Sequence, residues 1–285
     1  MSRRGVVRVA TCQFAVTANI RRNAEHIRRQ IRQARRRRAD VVHFPETALS
    51  GYAGASFDTW DGFNWDALKE ETLAVCELAR EKSVWVILGS THRLSGSHLP
   101  HNSVYVINAK GKIVERYDKC FCTGSDLRFY SPGNHLSVFP INGVKCGVLI
   151  CYDVRFPELF RAYKKRGIQL LFHSFHNAGR GEKGANIWTT IMTTTMQARA
   201  ATNYFWVSGN NSSRFYSSWP SVLIRPNGEI ADRLRFNRPG ITVNTVDTNK
   251  KHYDASALFR DRSMRGILHS GCVVSDPRSR DRTCF

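Results

Sequence analysis

Two successive strand-helix-strand units at the start of the chain restrict it to a layered α/β architecture. Residues 6–13 read as a strand, 19–38 as an amphipathic helix and 40–44 as a second, buried strand. Residues 66–82 supply another helix and 84–89 another apolar strand. Strands joined through a helix run parallel, and a parallel sheet must be covered by those helices.

The middle of the chain changes to hairpins. Segments 103–107 and 113–117 flank a Gly-containing turn at 108–112, and 136–141 and 144–150 flank Asn142-Gly143, a strongly favoured two-residue hairpin turn. A helix at 157–166, a strand at 169–173, a helix at about 186–202 and a strand at 204–209 restore the first rhythm. A hairpin of 221–224 and 229–234 around Pro226-Asn227-Gly228 follows, and a strand at 240–246 closes the pattern. No linker, low-complexity segment or longer repeat interrupts it. One domain over 1–265 is the economical reading, with a basic tail over 266–285 expected to pack on that domain or on a partner subunit.

The net charge of +20 invites a polyanion-binding hypothesis. Nine of the eighteen residues from Arg21 to Arg38 are arginine, yet Ala24, Ile27, Ile31 and Ala34 share one helical stripe. That pattern describes a surface helix with a solvated basic face. No aromatic side chains are interleaved for stacking on bases, so a nucleic-acid partner is disfavoured. The eight cysteines are scattered over a chain too large to need disulfides, and reduced thiols are expected. Cys120 and Cys122 lack a second pair at zinc-site spacing, and no metal or cofactor is expected. The opening residues contain no apolar run of signal-peptide or membrane-span length, so the expectation is a soluble, cytoplasmic protein without a membrane partner.

Three polar residues sit where strands end and side chains can project into a cleft. Glu46 follows a buried strand and is stiffened by Pro45, Lys119 ends a hairpin strand, and Cys151 ends the strand 144–150 before the chain turns into a helix at Pro157. Together they suffice for acyl transfer. A thiol attacks a carbonyl or nitrile carbon, a carboxylate accepts and returns the proton, and an ammonium stabilises the developing anion. That ammonium would also lower the thiol pKa. Singly, each has a plainer reading: a surface turn, a solvated lysine, an inert buried thiol.

The surrounding motifs choose between these readings. The segments Arg8-Val9-Ala10-Thr11-Cys12-Gln13, Phe44-Pro45-Glu46-Thr47-Ala48-Leu49-Ser50-Gly51-Tyr52 and Tyr117-Asp118-Lys119 resemble signature regions of the nitrilase superfamily, the carbon-nitrogen hydrolases. Gly147-Val148-Leu149-Ile150-Cys151-Tyr152-Asp153-Val154-Arg155-Phe156-Pro157-Glu158 closely resembles its cysteine motif, and the likeness extends over about residues 6–250. The resemblance implies a four-layer α-β-β-α sandwich of two mixed sheets. It implies Glu46 as general base and acid, Lys119 as the cation on the tetrahedral intermediate, and Cys151 as nucleophile. The backbone N–H of Tyr152 would be a second oxyanion donor. By the same resemblance the reaction is hydrolysis of a non-peptide carbon-nitrogen bond through a thioester, with an amide or N-carbamoyl compound favoured over a nitrile, in a homodimer or larger assembly. The alternative is a member that keeps the fold, has lost catalysis and binds polyanions.

One departure from the family pattern falls at Asp126, where many members carry a glutamate. The shorter side chain reaches Lys119 or a substrate amine only if the backbone lies further inward. His173 and His176 follow a predicted strand near the expected pocket, and Tyr52, His176, Asn177 and Trp188 are expected to contact substrate.

Overall fold

The computed structural model describes residues 3–178 and 187–283, the side chain of Trp188 excepted. In chain order its strands are β1 (Val6–Gln13), β2 (Val41–His43), β3 (Trp85–His92), β4 (His101–Ile107), β5 (Ile113–Asp118) and β6 (Val138–Ile141). There follow β7 (Val144–Ile150), β8 (Leu170–Phe175), β9 (Trp206–Asn211), β10 (Val222–Ile224), β11 (Ile230–Arg233) and β12 (Gly240–Asp247). The principal helices are α1 (Ile20–Arg36), α2 (Trp65–Lys82), α3 (Pro157–Lys165) and α4 (Ile187–Asn203). The strands form two six-stranded sheets, β12-β1-β2-β3-β4-β5 and β11-β10-β9-β8-β7-β6.

Read from β12 to β5 and from β6 to β11, the sheets show the same succession of pairings: antiparallel, parallel, parallel, antiparallel, antiparallel. α1 and α2 connect β1, β2 and β3 as α3 and α4 connect β7, β8 and β9. The chain thus contains an architectural repeat that its sequence does not display. Backbone pairing and apolar periodicity suffice to specify such a unit, and many different sequences meet those two demands.

Alternation along the strands sorts side chains between two cores. Val9, Val41 and Ile87 face the core between the sheets, while Ala10, Val42, Val86 and Leu88 pack beneath α1 and α2. On the far side Phe160 and Tyr163 of α3 and Met192 and Met196 of α4 cover the second sheet. The result is the expected four-layer sandwich.

In α1 the side chain of Asn19 caps the helix, accepting from the N–H of Arg22 at 2.9 Å. Ala24, Ile27, Ile31 and Ala34 are wholly buried, and each isoleucine contributes about 1.5–3 kcal/mol through that burial. The arginines lie outward, where Arg21 pairs with Glu70 of α2 at 3.0 Å, an exposed contact worth about 0–1 kcal/mol.

Strand ends differ from the sequence expectation at two informative places. β3 continues past Gly89 to His92 because β4 pairs with it over that whole length. β8 continues to Phe175 because β9 pairs with it that far, and this puts His173, the last residue of the expected strand, in the interior of the sheet. Residues 265–283 are all exposed. Arg262, on the domain side of the expected boundary, donates to the carbonyls of His269 and Gly271 of the tail. Among the described residues no helix is long and apolar enough to cross a membrane.

Candidate active site

β7 delivers Cys151 to the edge of a cleft, and the backbone there is bent sharply. Cys151 has φ of 43° and opens a short 3-10 turn, Cys151–Arg155, before α3 begins at Pro157. A left-handed conformation at a residue with a Cβ costs about 1–3 kcal/mol, so its surroundings must impose it. Asp153 does so. One of its carboxylate oxygens accepts from the Ile150 N–H at 2.9 Å and the Tyr117 hydroxyl at 2.8 Å, and the other accepts from the Phe121 N–H at 2.9 Å. These bonds tie the elbow to the segment that carries Lys119. Burial pushes the Asp153 carboxyl up to about 6, against the hydrogen bonds that favour its charge.

Glu46 lies just beyond β2, on a turn pressed against β3. A Cβ on Gly89 would sit 2.0 Å from the Pro45 carbonyl oxygen, so only glycine permits this approach. The Glu46 N–H donates to the carbonyl of Phe175 at 3.2 Å, which joins the turn to the second sheet. Behind it, His43 bridges the sheets, with its ring nitrogens 2.9 Å from the Ser208 hydroxyl and 3.0 Å from the Ser174 hydroxyl. The Glu46 carboxylate is fully engaged: Oε1 accepts from Asn102 Nδ2 at 2.7 Å and Lys119 Nζ at 3.0 Å, and Oε2 from the His176 N–H at 2.8 Å.

Lys119 follows β5. Its N–H donates to the Asn102 carbonyl at 2.9 Å and its carbonyl accepts from the Gly133 N–H at 2.8 Å, fixing the backbone on both sides. The side chain is wholly buried between two carboxylates, Glu46 and Asp126, the latter 2.8 Å away. A 3-10 turn over Asp126–Arg128 brings the shorter aspartate into reach without a longer side chain. Asp126 also accepts from the Thr123 N–H at 2.9 Å and from the Tyr52 hydroxyl.

These contacts decide the charges. Burial opposes the Lys119 ammonium, but Glu46, Tyr52, Cys151 and Asp126 outweigh it and hold the pKa well above the ordinary lysine value. Burial likewise opposes the Asp126 charge, and Lys119 with the Tyr52 and Thr123 hydrogen bonds brings its carboxyl below the usual range. For Glu46, burial prevails over Lys119 and raises the carboxyl. The Cys151 thiol is pushed well above its ordinary value, first by burial and then by Glu46 and Asp126, with Lys119 pulling the other way. Lys119 thus acts on the thiol in the expected direction, but burial and the two carboxylates outweigh it. Burial thus favours the neutral form of both the thiol and the neighbouring Glu46 carboxyl.

The cleft at Cys151 encloses about 280 Å3 and brings together Tyr52, Tyr152, Arg155, His176, Asn177 and Trp219. The rings of Tyr52 and His176 stack with centroids 5.2 Å apart, and the Tyr52 ring lies 5.9 Å from Lys119 Nζ. Tyr152 occupies the second position of the 3-10 turn, where backbone N–H groups lack partners within the turn. The expected Trp188 side chain lies outside the described residues. His173 belongs to the core, its Nε2 3.2 Å from the Cys151 carbonyl oxygen, and burial lowers its pKa to about 3. Among the described residues no group of three or more His, Cys, Asp or Glu could hold a metal ion, and Cys120 and Cys122 are free thiols.

Sequence reasoning missed Asn102, Asp153, Gly89, Arg155 and Trp219 as site components. Asp153 and Arg155 lie within the quoted cysteine motif, which is a usable signal. Asn102 and Gly89 sit in ordinary strand sequence and become informative only when β3 and β4 are paired and laid against the Glu46 turn.

Comparison with known proteins identifies the family. The family model for carbon-nitrogen hydrolase matches residues 8–251. A Staphylococcus lugdunensis protein described as a hydrolase in the agr operon is 30% identical over 227 residues, covering 77% of this chain and 92% of its own length. A human omega-amidase is 28% identical over 260 residues, covering 85% and 89%. A 2-oxoglutaramate amidase from Bacillus subtilis is 31% identical over 141 residues, covering 48% and 52%. Among solved structures, an amidase of the nitrilase superfamily from Nesterenkonia superposes with a TM-score of 0.76 at 21% identity, over 93% of this chain and 98% of that one. The chain belongs to the carbon-nitrogen hydrolase family.

Proposed function

We propose that the protein hydrolyses the amide bond of a small amide through a thioester on Cys151. The observation that carries this reading is the wholly buried Glu46–Lys119 ion pair beside Cys151, a partly buried thiol that lines the cleft, with burial raising both the Cys151 thiol and the Glu46 carboxyl. Glu46 takes the thiol proton as sulfur attacks the carbonyl carbon. The oxygen that becomes negative is met by the Lys119 ammonium and the Tyr152 N–H. Glu46 then gives the proton to the departing nitrogen, and ammonia leaves. In the second half Glu46 removes a proton from water, whose oxygen attacks the thioester and releases the acid and the thiol.

Asn102 and the His176 N–H hold the Glu46 carboxylate in place while it changes charge. The shift imposed by burial brings its pKa toward neutrality, where a carboxylate can both accept and return a proton. Among the described lining residues Arg155 carries the one formal charge, which favours an acyl group with a negative far end. The names of the omega-amidase and 2-oxoglutaramate amidase relatives point to substrates of that kind and favour an amide over an N-carbamoyl compound or a nitrile. The complete Glu46-Lys119-Cys151 set supports catalysis over the alternative of a polyanion-binding protein with lost chemistry. A homodimer or larger assembly in the cytoplasm belongs to the same reading.

The test is ammonia release from a panel of small primary amides, with intact-mass detection of an acyl adduct mapped to Cys151. Cys151→Ala is expected to lower turnover by about 10^4-fold or more. Failure of the unaltered protein on every amide, or substantial turnover by Cys151→Ala, rejects the reading.

A further inference from the structure

Trp219 lies on the 212–221 segment between β9 and β10, and everything about it except its indole nitrogen is held in place. Its carbonyl accepts from Asn211 Nδ2 at 2.9 Å. The preceding Ser218 donates its N–H to the Asn177 carbonyl at 3.0 Å, and its hydroxyl donates to Asn177 Oδ1. Asn177 is in turn fixed by donating its N–H to Asn211 Oδ1 at 2.8 Å. The indole ring is 2% exposed and packs edge-on against Phe175, with centroids 5.4 Å apart. Phe175 is the residue whose carbonyl receives the Glu46 N–H.

The Nε1–H of this rigid, buried ring has no hydrogen-bond partner among the described residues, and the residue lines the same cleft as Cys151. The protein satisfies an indole elsewhere: Trp60 Nε1 donates to the Phe129 carbonyl at 2.8 Å. Leaving a buried donor unpaired costs free energy, and such groups in native structures call for a functional account. A ligand supplying the missing acceptor provides one.

We infer that the Trp219 indole N–H is a specificity-determining donor that recognises an oxygen acceptor at the far end of the substrate's acyl group. The inference rests on the amide-hydrolase reading for the identity of the ligand. With Arg155 in the same cleft, the matching chemistry is a carboxylate or carbonyl oxygen, while an alkyl end leaves the N–H unpaired and an ammonium faces a cation. A site built around a hydrogen bond discriminates strongly against an analogue that lacks the partner.

The test compares glutaramate with pentanamide, chains of equal length that differ in the terminal carboxylate. Trp219→Phe keeps an aromatic ring and removes the N–H. It is expected to lower kcat/KM for glutaramate by about tenfold or more and to change that for pentanamide by less than about twofold. Equal losses on both amides would mean that the ring acts only through packing, and no loss on glutaramate would mean that the N–H is not used; either overturns the inference. Calorimetric titration of glutaramate into Cys151→Ala, with and without Trp219→Phe, separates this claim from the hydrolase reading. Absent turnover with binding weakened by Trp219→Phe rejects the hydrolase and keeps the donor; turnover without discrimination keeps the hydrolase and rejects the donor; neither turnover nor binding rejects both. With Trp219 intact, one of the six indole N–H resonances of Cys151→Ala should move downfield on adding glutaramate and not on adding pentanamide, and its failure to move overturns the inference.

Discussion

Replacing Lys119 by methionine leaves an unbranched side chain one atom shorter and removes its charge from a wholly buried position. Nζ lies 3.0 Å from Glu46 Oε1 and 2.8 Å from Asp126 Oδ2. At an effective dielectric constant near 20, each contact corresponds to about 5–6 kcal/mol of Coulomb attraction before desolvation is charged against it. Glu46 and Asp126 are themselves buried, so solvent screening does little to soften the loss. Breaking a buried ionic cluster by removing one partner costs about 3–5 kcal/mol, because it strands the other charges. For a chain of this size that corresponds to a fall in Tm of roughly 6–15 °C.

The sign of the pH dependence follows from the shifts. Lys119 has its pKa raised on folding, so its stabilisation is fully present below the ordinary lysine value of 10.5 and is lost only as pH rises through the folded value. In Lys119→Met the two facing carboxylates remain, and acid relieves them by protonation, so the stability gap to the unaltered protein should narrow as pH falls from 8 toward 5. Urea unfolding followed by circular dichroism at both pH values measures this. Lys119→Met combined with Glu46→Gln and Asp126→Asn removes the whole ionic cluster and should recover most of the stability. A single-variant loss below about 1 kcal/mol at pH 8, or a gap that does not narrow in acid, refutes the reasoning.

Gly89→Ala should displace the Glu46 turn, because the new Cβ meets the Pro45 carbonyl oxygen at 2.0 Å and the Thr47 nitrogen at 2.8 Å. Turnover is expected to drop by about 10^2-fold with a stability loss of about 1–3 kcal/mol, whereas Gly124→Ala, with no heavy atom within 4 Å of its Cβ, should do neither. Steady-state kinetics and unfolding of both variants check the contrast. The acid limb of kcat/KM should titrate above 4.5, since burial raises the Glu46 carboxyl and it must be ionised to take the thiol proton. Activity falls as pH drops through that limb, and a limb at or below 4.5 would remove Glu46 from the role of base.

Much of the architecture was legible because its signals are local. The strand Val6–Gln13 and the pair Val138–Ile141 and Val144–Ile150 follow from apolar runs and the Asn142-Gly143 turn, which act over neighbouring residues. The buried stripe of α1 follows from helical spacing in the same way. Strand ends were less legible: how far β3 and β8 run depends on the partner strand, which lies elsewhere in the chain. The matching order of pairings in the two sheets left no mark that inspection of the chain could find.

For the site, the residue types and their places after strands were readable from sequence, and so were Glu46, Lys119, Cys151 and Asp126 as its members. Their charges were not. A lysine beside a cysteine suggests a thiolate until burial and two carboxylates enter, and those carboxylates act from Glu46 and Asp126, far from Cys151 in sequence. Gly89, Asn102 and Trp219 likewise acquire meaning only when separate strands and loops meet. Periodicity, turn chemistry and motif order are written along the chain because they depend on adjacent residues. Desolvation, close approach and unpaired donors depend on which distant segments are brought together, so the tertiary structure alone decides the protonation state of Cys151 and the shape of the cleft before it.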